Sequence, residues 1–114
     1  MQMQIHTRNV GDVTVLDLKG RLTLNEGTQQ LKETFDRLTA SGTKRIVLNL
    51  QEVSYVDSGG LGELVRSLAA VGRHGGSLKL INLTSKITDL LVITKLLTVF
   101  DSYDSESAAL SSFK

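Results

Sequence analysis

A chain of 114 residues, 40% hydrophobic and 22% charged with ten glycines, has room for one globular domain (1–114) and little for two. Its 13 basic and 12 acidic residues give a net charge of +1 with no long run of one sign, which argues against nucleic acid as the main partner. The absence of cysteine removes disulfides and thiolate metal sites, and His6 and His74 lie too far apart in sequence to suggest a histidine cluster.

The start, Met1 to Ile5, lacks the basic and apolar regions of a signal peptide. A strand is expected from about Gln2 to Arg8, followed by turn chemistry at Asn9 to Asp12 and a β-branched strand from Val13 to Lys19 that pairs with the first as a hairpin. After Gly20 and Arg21, Leu22-Thr-Leu24 reads as a short extended piece. Asn25 is the expected N-cap of a helix with Leu31, Phe35 and Leu38 inward, ending near Ser41 and Gly42. Ile46 to Leu50 is a continuous apolar run, the mark of a central strand covered on both faces. A short loop then leads to a helix from Gly59. Its inner face is Leu61, Leu64, Val65, Leu68, Ala69 and Gly72, with Glu63, Arg66 and Arg73 opposite.

Leu78 to Ile81 is a further strand. Thr84 or Ser85 caps a third helix with Ile87, Leu90, Leu91 and Thr94 inward, and Leu96 and Leu97 extend that apolar side past Lys95. This apolar-rich stretch, Leu90 to Leu97, is interrupted by Thr94 and Lys95 and is too short to span a bilayer. Val99 to Tyr103 reads as a last strand, and Ser105 opens a short final helix carrying Ala108, Ala109, Leu110 and Phe113. The order β-β-α-β-α-β-α-β-α implies an α/β domain: a mixed, mostly parallel sheet of about five strands with about four helices packed on it. A cytoplasmic monomer is the expectation.

The informative stretch is Val53 to Gly62, Val-Ser-Tyr-Val-Asp-Ser-Gly-Gly-Leu-Gly. It runs from the end of an apolar strand into an amphipathic helix, so Asp57 or Ser58 falls at the N-cap. Gly59 and Gly60 keep the entrance free of side chains and leave Ser58 accessible. A helix N-terminus tolerates added negative charge, by about 0.3–1 kcal/mol at an exposed site. A phosphate on Ser58 would therefore leave the fold intact while adding about −1.5 to −2 charge beside Asp57. A partner docked there would be repelled. Taken alone, Asp-Ser before glycines is equally a common helix start.

The stretch Tyr55 to Gly62 resembles the Asp-Ser-[Ser/Thr]-Gly-Leu-Gly signature of the anti-sigma factor antagonists of the STAS domain family, and the resemblance extends over nearly the whole chain. Val13 to Leu22, Ile46 to Leu50, Gly75 to Leu80, Leu83 to Thr94 and Val99 to Tyr103 are each similar to the corresponding family segment, in order. The resemblance implies that the free domain binds an anti-sigma factor that is also a serine kinase, and so releases a sigma factor. Phosphorylation of Ser58 ends the contact, and a metal-dependent serine phosphatase reverses it. Asp57, Ser58, Gly59, Gly60, Asn25 and Arg21 are the candidate partner-binding residues. The chain itself needs no cofactor, since ATP and magnesium belong to the kinase. Three departures stand out: Gly59 in place of a second hydroxyl residue, Lys86 where proline is frequent, and Lys95 in place of a glycine after the third helix.

Two other readings compete. Asp-Ser-Gly-Gly also surrounds the nucleophile of trypsin-like proteases, but the chain is too short for that fold and His74 lies some four helical turns from Ser58. There is no Gly-x-x-x-x-Gly-Lys-[Ser/Thr] nucleotide loop. STAS domains also act as docking modules in lipid-transport and stress-signalling complexes and as appendages of anion transporters, a non-switching alternative. Arg21 and Arg66 are candidates for the rim of the docking surface or for pairing with a phosphate, with solvated surface the simpler role, and Tyr55 is either a partner anchor or a half-buried strand-end aromatic.

Overall fold

The computed structural model describes residues 3–113; the Gln2 end of the expected first strand lies outside them. In chain order the elements are β1 (Gln4–Val10), β2 (Val13–Leu22), α1 (Thr28–Ala40), β3 (Arg45–Val56), α2 (Ser58–Arg73), β4 (Ser77–Ile81), α3 (Ser85–Ile93), β5 (Asp101–Tyr103) and α4 (Glu106–Ser112). The five strands lie side by side in sequence order, with β1 antiparallel to β2 and all other neighbours parallel. This is the expected mixed, mostly parallel sheet with four helices.

Alternation along β2, β3 and β4 divides the interior in two. Leu16, Leu18, Ile46, Leu48, Leu50, Leu78 and Leu80 face α1, α2 and α3 and meet Leu31, Phe35, Leu61, Leu64, Ile87 and Leu91. The intervening Val13, Val15, Val47 and Ile81 face the other way, onto Ala109 and Leu110 of α4 and Phe113 just after it. Central strands apolar on both faces follow from helices on both sides.

Several boundaries differ from the sequence reading. Val13 to Leu22 is one strand that passes through Gly20 (φ 120) with register shifts on either side, not a strand and a separate piece. β3 runs on to Val56, so no loop separates it from Asp57. β5 is only Asp101–Tyr103. On α2, Glu63 is buried at 8% exposure although expected on the outer face, while Ala69 and Gly72, expected inside, are exposed. The buried line includes Ser67, Ala70 and Val71. Glu63 is tolerated there because Arg66 grips its carboxylate twice from Nε and again from Nη2, and the buried Ser67 hydroxyl donates to it at 2.9 Å. On α3, Thr94 is exposed rather than inward. Leu96 and Leu97 pack against the main core.

Candidate functional site

The C-terminal ends of β2 and β3 feed two short connections that meet. After β2, Thr23 and Glu26 exchange backbone hydrogen bonds of 2.8 and 3.1 Å, closing a tight loop that lifts Leu24 and Asn25 outward. Gly27, with φ 88, is the residue preceding α1 and provides no side-chain cap. Asn25 is therefore not the cap of α1; it is an exposed loop residue. A Cβ at Gly27 would meet the Arg21 carbonyl at 2.9 Å, which leaves glycine for the turn.

After β3, the chain turns directly into α2 and Asp57 is its N-cap. The Asp57 carboxylate accepts the Gly60 N–H at 2.9 Å and, with its two oxygens, the Leu24 N–H at 3.1 and 3.2 Å. One side chain thus closes the helix and fixes the neighbouring loop. The Gly60 amide, followed by those of Leu24 and Gly59, holds the Asp57 carboxyl below the usual carboxylate range. Ser58 follows as the first residue of α2 and is exposed.

The glycines have a different cause from the one expected. A Cβ at Gly60 would stand 2.0 Å from the Leu22 carbonyl oxygen, and one at Gly59 would stand 2.7 Å from the Leu24 Cβ. Both are demanded by close packing of the β2–α1 loop on the first turn of α2. The absence of a second hydroxyl residue at 59 is explained by the seat of Leu24.

Exposed apolar side chains stand at this end of the sheet. Leu24 is 71% exposed, Tyr55 49% and Ile93 78%. Tyr55, Val56, Ile87, Leu90 and Ile93 line a groove of about 360 Å³ between the end of β3 and α3, with Lys86 and Asp89 also in its wall. Arg21 pairs with Tyr55 in the β2–β3 register and places its guanidinium 5.4 Å from the ring centroid. Arg66 points elsewhere: it bridges Glu63 on its own helix and Asp36 on α1, at 3.6 Å. Leu24 and Ile93 did not emerge from the sequence as site residues. An isolated leucine among Thr23, Asn25 and Glu26 was the one signal available for the first.

His74 caps the far end of α2, where its Nδ1 meets the Ala70 carbonyl, and His6 pairs with Asp17 across the β1–β2 ladder. Neither arrangement builds a base beside Ser58. Among the described residues no helix is long and apolar enough to cross a membrane.

Comparison with known proteins agrees with this geometry. The family model described as "Mlab, STAS domain" matches residues 5–100. A Thermotoga neapolitana protein, provisionally named an anti-sigma factor antagonist, is 32% identical over 101 residues, 89% of each chain. The anti-sigma-B factor antagonist of Staphylococcus aureus is 36% identical over 67 residues, 59% of this chain and 62% of its own. The Bacillus cell fate determinant SpoIIAA, solved in its phosphorylated form, superposes with a TM-score of 0.74 at 18% identity, over 97% of this chain and all of its own. With its sheet order, its helices and a family match over most of its length, the chain belongs to the STAS domain family, and its relatives include anti-sigma factor antagonists.

Proposed function

We propose that the chain is a cytoplasmic anti-sigma factor antagonist that binds an anti-sigma factor serine kinase and is released by phosphorylation on Ser58. The observation that carries this reading is the division of labour at the start of α2. Asp57 performs the capping, so the adjacent Ser58 hydroxyl is left exposed and outside the cap. A phosphate there meets a helix N-terminus, which favours negative charge, and the fold tolerates it. The same phosphate places about −1.5 to −2 charge next to the Asp57 carboxylate, close to the exposed Leu24. A partner seated over Leu24 and Tyr55 is then opposed by repulsion and by the desolvation of a dianion. The domain supplies no catalysis; the kinase brings ATP and magnesium, and a metal-dependent serine phosphatase restores the binding form.

Two measurements test this. Phosphopeptide mass spectrometry of protein from its native host examines the tryptic fragment from Ile46 to Arg66, whose only hydroxyl side chains are Ser54, Tyr55 and Ser58. Phosphate on Ser58 is expected. Calorimetry with the cognate kinase should then show tight binding by Ser58→Ala and binding at least about tenfold weaker by Ser58→Asp, a change of about 1.4 kcal/mol. Equal affinities for the two variants would place the docking surface elsewhere and favour a non-switching docking module.

A further inference from the structure

The opposite end of the sheet carries a second recess that the Ser58 reading does not use. It lies where β3 and β4 begin, measures about 350 Å³, and its polar lining is Lys44, Arg45, Ser77, Lys79 and Ser112. Three of these are cations and none is a carboxylate. Strand register sets Arg45 beside Ser77 and Val47 beside Lys79, so alternation turns Arg45, Ser77 and Lys79 to the α4 face together.

Lys79 is the unusual member. Its side chain is only 10% exposed, and its ammonium stands 5.5 Å from the Tyr103 ring centroid and 5.0 Å from that of Phe113. Two aromatic faces therefore hold a partly desolvated cation in place. Its carboxylate partner, Asp101, is 3.4 Å away and faces solvent, too long and too hydrated for a strong pair. Lys44 donates to the His74 carbonyl, and Arg45 pairs at 2.6 Å with the exposed Asp12. Both are surface contacts that a more highly charged ligand can displace. The amides of Gly75, Gly76 and Ser77 already donate to Gly72, Val71 and Lys44, so recognition falls to side chains.

We propose that this recess binds a phosphate-class oxyanion. Lys79 is the fixed cation, Lys44 and Arg45 close over the ligand, and the Ser77 hydroxyl adds a hydrogen bond, whereas the Ser112 hydroxyl is already donated to the Ala109 carbonyl at 2.6 Å. Three convergent cations favour a dianion over a single carboxylate, because Coulomb attraction scales with ligand charge and is screened less in a partly enclosed site. Inorganic phosphate and a phosphomonoester share this chemistry.

The test is a titration of the ¹⁵N-labelled domain followed by amide shifts, with ionic strength held constant by chloride. Inorganic phosphate and glycerol phosphate serve as separate probes. Saturable shifts centred on Lys44, Arg45, Ser77 and Phe113 are expected, with a Kd of about 1 mM or tighter. Tighter binding of the ester would identify an organic phosphate as the ligand, and equal binding the bare phosphate group. Lys79→Met, which keeps the packed stem, should weaken binding about tenfold, and so should the rim variant Lys44→Gln combined with Arg45→Gln. Ser58→Asp, at the other pole, should leave it unchanged. Non-saturable shifts, shifts reproduced by chloride alone, or unchanged affinity in both variants would overturn the proposal.

Discussion

At the residue scale, the junction between the β2–α1 loop and α2 is governed by what has no side chain. Gly60 is pressed on the Leu22 carbonyl, which belongs to a buried strand end and cannot yield. Gly59 is pressed on the Cβ, Cα and N of Leu24 at 2.7, 2.8 and 2.9 Å, a milder overlap than the 2.0 Å at Gly60. Gly60→Ala should therefore cost at least about 3 kcal/mol in urea unfolding, and Gly59→Ala about 1–2 kcal/mol, by overpacking. Equal costs would mean that the depth of the overlap does not set the penalty. This contrast was not legible in the sequence, where both glycines read as clearing the approach to Ser58. A backbone contact made across the fold leaves no local trace. The Asp57 cap was legible, because capping depends on residues within one turn. Asn25 misled for the same reason: a good capping residue was near, but the turn closed two residues later, at Gly27, which has the positive φ the geometry requires.

At the element scale, the C-terminus of α3 shows that a departure in sequence need not be a departure in structure. Lys95, the residue expected to depart from a glycine after the third helix, occupies the left-handed region at φ 63, and the helix still stops at Ile93. The Leu96 N–H reaches back to the Leu91 carbonyl at 2.8 Å, and Leu96 and Leu97 bury against the core, which holds the turn. The attachment of α4 is more exposed to conditions. Arg8 of β1 bridges Asp17 of β2 and Glu106 in the first turn of α4, and Asn49 donates to Asp17 at 2.8 Å. Arg8 holds both carboxyls below their usual values, chiefly by hydrogen bonding.

Carboxyls with depressed folded-state values stabilise fully above their unfolded values, near 3.9 and 4.3. That contribution is lost as pH falls through the lower folded values. Amides of α4 should thus show, after correction for intrinsic rates, markedly weaker hydrogen-exchange protection near pH 3 than at pH 7. Glu106→Gln should remove most of the difference and cost about 1 kcal/mol at neutral pH. Protection of α4 that is equal at both pH values would assign its attachment to Ala109, Leu110 and Phe113 alone. Nothing in the sequence pointed to this clip, because its members lie 9 and 98 residues apart.

At the scale of the whole molecule, parallel strands give the domain two chemically different poles. The starts of β3 and β4 gather cations, and the ends of β2 and β3 gather exposed apolar side chains near Ser58. The mixed, mostly parallel sheet followed from the alternation of strands and helices, yet this polarity did not, since Leu24, Tyr55 and Ile93 come from three separate segments. Their exposure separates binding from stability. Leu24 is held by its backbone, through Asp57, so its side chain can be removed without loosening the loop. Ile93, at the end of α3, contributes little to the core. A rigidly presented apolar side chain is well suited to act as an interface anchor, because little conformational entropy remains to be lost on docking. Leu24→Ala and Ile93→Ala should each leave the unfolding midpoint within about 0.5 kcal/mol of the parent. Each should weaken binding of the cognate kinase by about 1 kcal/mol or more, roughly fivefold. Combining Leu24→Ala with Ser58→Asp should give less than the sum of the two losses, since the carboxylate already disrupts the contact that Leu24 makes. Full additivity would show that the kinase reads the two positions through separate contacts, and unchanged affinity in Leu24→Ala would move the apolar seat to the Tyr55–Ile93 groove.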